Sequence, residues 1–171
     1  SATLYQSKIT VKPKSVDNKI TFDDVIYFFD NFNKDKEVPF VSREPKVGHQ
    51  KLFINLADAH FGVDNSISML VKNLICEIVE KSERYSFSEI VFINMGDLLH
   101  IDNAAGTTSL GTQVGTRGTY YGIWEDALKT LIFSIDMLKE IAPVKYVSIC
   151  GNHDKVSSYT VGKALEYYYK G

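Results

Sequence analysis

Three short polar stretches hold the residues best suited to chemistry: Asp58-Ala59-His60, Gly96-Asp97 and Gly151-Asn152-His153-Asp154. Asp58 and Asp97 supply carboxylates, Asn152 an amide oxygen, His60 and His153 imidazoles. Hard oxygen ligands mixed with imidazole suit manganese, iron or zinc better than calcium. A carboxylate from the middle stretch can bridge two such ions, which stand roughly 3.5–4 Å apart in two-metal hydrolytic sites. Each stretch alone is weak. Asp-x-His arises by chance, and Gly-Asp is a common turn pair.

Each stretch also ends an apolar run. Leu52, Phe53, Ile54 and Leu56 read as a buried strand before Asp58. Ile90–Ile93 read as a second before Gly96, and Val144, Val147 and Ile149 as a third before Gly151. Helical spacing separates them. Ile67, Leu70, Val71, Leu74, Ile75, Ile78 and Val79 form one apolar stripe, with Asp64, Asn65 and Ser66 as candidate caps. Leu128, Leu131, Ile132, Ile135 and Leu138 form a second, stopped near Pro143. Ser157 or Ser158 leads a third, with Val161, Ala164, Leu165 and Tyr168. Strand-helix alternation predicts an α/β fold with a parallel sheet and right-handed crossovers. All three polar stretches then share the carboxyl edge of the sheet, where such folds place ligands.

In this order and context the motifs resemble the signature of the calcineurin-like metallophosphoesterases: Asp-x-His, Gly-Asp, then Gly-Asn-His-Asp/Glu. The resemblance implies a four-layer α/β/β/α fold, of which this chain supplies a parallel βαβαβα half. It implies that Asp58 and His60 bind a first metal, Asp97 bridges two, and Asn152 binds the second. His153 would protonate the leaving oxygen or stabilise the transition state, with Asp154 as an orienting neighbour. The implied cofactors are two divalent ions, manganese first, with iron, zinc or magnesium as alternatives. The flanks, Asp58-Ala59-His60-Phe61-Gly62 and Gly96-Asp97-Leu98-Leu99-His100, look most like the SbcD-like nuclease branch. The phosphoprotein phosphatase pattern, Gly-Asp-x-x-Asp-Arg-Gly with Gly-Asn-His-Glu, is not matched, since His100 and Asp154 stand at its diagnostic positions.

The family completes its site with later histidines. The four here are His49, His60, His100 and His153, and none follows His153. The expectation is therefore the N-terminal half of a longer enzyme's domain over residues 47–171, with metal held weakly or singly and little activity alone. The missing half of the domain would be its partner. The expected substrate is a phosphoester, nucleic acid in the nuclease reading. A nucleotide phosphodiesterase or phosphatase, and a non-catalytic binding module, stand as alternatives.

Composition narrows the classes. At 171 residues and 44% hydrophobic content the chain can bury one sizeable core. A formal net charge of -2 gives no bulk attraction for nucleic acid or anionic membrane. No apolar run is long enough to span a bilayer, so no membrane partner and a cytoplasmic location are expected. Cys76 and Cys150 make no disulfide framework and read as small buried residues. Residues 1–46 read as a locally basic arm or accessory segment with a linker around Pro39 and Pro45. Asn103–Gly122, rich in glycine and threonine, reads as a mobile loop. No Gly-Lys-Ser/Thr follows its glycines, which excludes a phosphate-binding P-loop. His100 and Arg117 are its neighbouring substrate-binding candidates. Tyr120, Tyr121 and Trp124 can either stack on bases or pack at the start of the second helix. His49 reads as a surface residue.

Overall fold

The computed structural model describes residues 48–82 and 84–170. The segment read as an arm and linker, 1–46, lies outside them. Along the chain come β1 (Gln50–Leu56), α1 (Ile67–Ser82), β2 (Phe87–Asn94), α2 (Tyr120–Lys139), β3 (Val144–Ser148) and α3 (Lys155–Lys170). The strands form one parallel sheet in the order β1-β2-β3. The expected α/β alternation is thus present, element for element.

Strand order explains where the core lies. Each step along the sheet goes the same way, so right-handed crossovers put the helices on one face. Ile54 of β1 and Ile90 and Phe92 of β2 are buried on that face. Val71 and Ile75 of α1, Leu128, Leu131, Ile135 and Leu138 of α2, and Val161 and Leu165 of α3 are buried with them. The alternate residues look the other way. Phe53, expected inside β1, is 61% exposed, and Ile149, expected inside β3, is 49% exposed just past the strand's end. Apolar runs mark a strand but do not say that both its faces are covered.

Helix boundaries show where side chains overrule composition. Ser66 precedes α1, and the Asp64 carboxylate accepts its backbone N–H at 2.8 Å. α2 starts at Tyr120, so the last three residues of the expected loop are helical. Thr119 caps it, its hydroxyl accepting from Gly122 N at 3.2 Å. α3 starts at Lys155, ahead of both serines, which are buried within it. Tyr120 hydroxyl meets Ser157 Oγ at 3.0 Å, and Trp124 Nε1 donates to Thr160 Oγ1 at 3.0 Å. Both rings therefore clamp α2 to α3, in line with packing; Tyr121 remains exposed. Cys76 and Cys150, expected inside, are both exposed. Cys76 falls on an outward position of α1, and Cys150 follows β3, an edge strand of the sheet.

Candidate metal and catalytic site

The carboxyl ends of three parallel strands deliver all three motifs to one edge. Hydrogen bonds continue the ladder past the strands: Met95 N donates to Leu56 O at 2.8 Å and Ile149 N to Asn94 O at 2.9 Å. The loops after β1 and β2 then run side by side. Asp58 N donates to Gly96 O, His60 N to Asp97 O, Phe61 N to Leu98 O, and His100 N to Phe61 O, at 2.8–3.3 Å. Phe61, Leu98 and Leu99 are buried almost completely and anchor these loops. Burying the apolar neighbours leaves Asp58, His60, Asp97 and His100 to face the edge.

Backbone conformation singles out three residues. Among the described residues, the non-glycines with positive φ are Asp58 (φ 50), His60 (φ 49) and Asp97 (φ 48). Left-handed backbone disfavours side-chain-bearing residues and collects at functional sites. Here it falls on three of the four positions expected to hold metal. One ligand atom from each lies within 4.8 Å of the other two. Asn152, the remaining expected ligand, is exposed between Gly151 and His153.

His153 is held from two sides. Its N–H donates to Asp97 Oδ1 at 2.8 Å, and its Nδ1 lies 3.0 Å from the His100 carbonyl. A carbonyl only accepts, so Nδ1 carries the proton and Nε2 is the ring nitrogen left for a ligand. The orienting partner of this ring is therefore the His100 carbonyl. Asp154 has another task. It is fully buried, its Oδ2 accepting from Leu99 N at 2.8 Å and Ser158 Oγ at 2.6 Å, and its Oδ1 from Gly151 N at 3.1 Å. It ties the second loop to the third.

Burial pushes the Asp154 carboxyl above its ordinary value of 3.8, against the pull of those three hydrogen bonds. A raised acid binds its proton more tightly folded than unfolded. Its stabilising contribution is then full below the unfolded value and is lost as pH rises through the folded one. Asp154→Asn removes this titration and one acceptor. Urea midpoints should show the substitution costing more stability at about pH 4 than at about pH 7. An equal cost at both would mean the carboxyl is not raised.

Asp102 was not foreseen. Its Oδ1 accepts from Val156 N at 2.9 Å and Ser157 N at 2.7 Å, and Ser109 Oγ accepts from Lys155 N at 2.8 Å. These are the otherwise unpaired first N–H groups of α3. Capping from a distant loop frees Asp154, the residue in the local cap position, to brace the site. Ser109 also donates to Asp102 Oδ2 at 2.8 Å, and its N–H to His153 O at 3.0 Å. The glycine-rich loop is thereby pinned to the third motif. Arg117, expected at the substrate, is exposed and binds through its backbone, N to Gly62 O at 2.7 Å. Its charge helps hold Asp64 below the usual carboxylate range, after the hydrogen bonds from Ser66.

His100 does join the cluster. Its Nδ1 lies 3.1 Å from His60 Nδ1, and its ring is 5.2 Å from that of His153. Burial lowers its pKa, helped by the neighbouring imidazoles and opposed by Asp97. Compared with family models, curated proteins and solved structures, the chain matches none. No described helix is long and apolar enough to cross a membrane.

Proposed function

We propose that the chain carries the first half of a metal-dependent phosphoesterase site, of the calcineurin-like class. Within that class the flanking residues favour a nuclease or phosphodiesterase acting on nucleic acid. The observation that carries the reading is the left-handed backbone at Asp58, His60 and Asp97 together, with their ligand atoms converging. The donor set fits: two carboxylates and one imidazole suit manganese or a similar ion. Among the described residues His153 N–H engages one oxygen of Asp97, which leaves the other for a ligand role.

Asp58, His60 and Asp97 would hold the first ion, and Asp97 with Asn152 the second. Divalent ions at such a site supply charge neutralisation for the phosphoryl group and a nucleophile at neutral pH. The chain's own part is positional. Asp97 fixes the third loop through His153 N, and the His100 carbonyl fixes the His153 ring through Nδ1. When protonated at Nε2, His153 can hand that proton to a departing alkoxide. The first ion has three side chains and the second only two, so the first should bind more tightly.

Calorimetric titration with Mn²⁺ should show one binding event that Asp58→Ala loses. Identical curves for the two proteins would refute the ligand assignment. Hydrolysis by the protein should be faster on DNA than on a small chromogenic diester; the reverse preference would move the substrate to a nucleotide-sized diester.

A further inference from the structure

The edge holds a second donor set that overlaps the first only at His60. His60, His100 and His153 each offer a ring nitrogen, all within 4.8 Å of one another. Their ring centroids form a near-equilateral triangle with sides of 5.1, 4.8 and 5.2 Å. Two nitrogens bound to one ion at the usual zinc–imidazole length stand about 2.9–3.4 Å apart. The His60 and His100 Nδ1 atoms, 3.1 Å apart, fall in that range. Without an ion, two facing Nδ1 atoms at this distance must share one proton. The third nitrogen is already prepared: the His100 carbonyl holds the His153 Nδ1 proton, and such a bond to the other ring nitrogen orients imidazole ligands in metal sites. All three rings are half-buried, and each therefore keeps a route to solvent.

We propose that His60, His100 and His153 form a tri-imidazole site for one late transition ion of the zinc, cobalt, nickel or copper kind. Three nitrogens with no carboxylate favour these ions over manganese or magnesium. A neutral imidazole has one lone pair, so His60 serves either this ion or the one held with Asp58 and Asp97. The two sites exclude each other. An ion on the tripod also takes the Nε2 of His153, the atom assigned to proton transfer. Zinc-class ions thus switch off the site that manganese-class ions complete. The tripod stands on its own geometry whether or not the chain cleaves phosphoesters.

Titration with Co²⁺, followed by its visible absorption, tests this on the whole chain. His100→Gln should weaken Co²⁺ and Zn²⁺ binding at least about 100-fold while leaving Mn²⁺ binding within about twofold. Asp58→Asn should do the opposite. A His100→Gln protein that keeps its circular dichroism and its Co²⁺ affinity overturns the proposal. A wild-type measurement guards against misfolding of the variants. Proton NMR of the Co²⁺-loaded chain should show three hyperfine-shifted imidazole N–H signals, one from each ring. A single such signal would place cobalt with His60 and the carboxylates and overturn the tripod. A wild-type chain that binds Co²⁺ at the tripod but shows no Mn²⁺ binding would instead overturn the phosphoesterase reading alone.

Discussion

Gly151→Ala should destabilise the chain by about 3 kcal/mol, lower its melting temperature by about 6–12 °C, and abolish Mn²⁺ binding. A Cβ at this position would lie 2.0 Å from Asp97 Oδ1, 2.2 Å from Asp97 N and 2.6 Å from its Cγ. Two of these atoms belong to a carboxylate that the His153 N–H already fixes, and the third is backbone. No flexible side-chain end can yield. The loops after β2 and β3 must part, and the Asp97 carboxylate moves with them. Gly96, against which Gly151 packs, would have to follow, since its own Cβ position is 3.1 Å from Gly151 Cα. A thermal melt within about 2 °C of wild type would show that the loops can separate at little cost, and that this contact does not set the site.

Gly151 is needed for a reason its local sequence does not show. Sequence suggests a glycine that lets the chain turn sharply after a strand. Gly96 does use the left-handed region, at φ 104, but Gly151 is not among the positive-φ glycines. Its missing side chain is needed because another loop lies against it. Contacts between motifs 54 residues apart leave no local trace. The same holds for Asp102, which caps α3 from a different loop, and for the His60–His100 nitrogen pair. By contrast, the three strands, the three helices and the shared edge were legible, because periodicity and strand-helix alternation are local signals. The exposure of Phe53 and Ile149 was not, because coverage of a sheet face depends on strand order. Cys76 and Cys150 failed for a similar reason: small apolar residues are usually buried, but only where a neighbour exists to bury them.

Asp97→Asn isolates charge from architecture at the centre of the site. Asparagine keeps a carbonyl oxygen where Asp97 Oδ1 accepts the His153 N–H at 2.8 Å. It also tolerates left-handed backbone better than other side-chain-bearing residues, so φ 48 at this position adds no new strain. The fold should therefore keep its stability to within about 0.5 kcal/mol. What disappears is the negative charge that a bridging ligand supplies. On the proposed reading, Mn²⁺ affinity should fall at least about 100-fold, and phosphodiester hydrolysis should be lost with it. Asp97→Ala would be a poorer test, because it also removes the acceptor that holds the third loop. Circular dichroism and Mn²⁺ calorimetry on the Asn variant give the two readings separately. A native spectrum with undiminished Mn²⁺ binding would leave Asp97 as a loop brace only, and the strain at Asp58 and His60 would then need a ligand set that omits it. A native spectrum with lost binding would tie the strained backbone to the charge it positions.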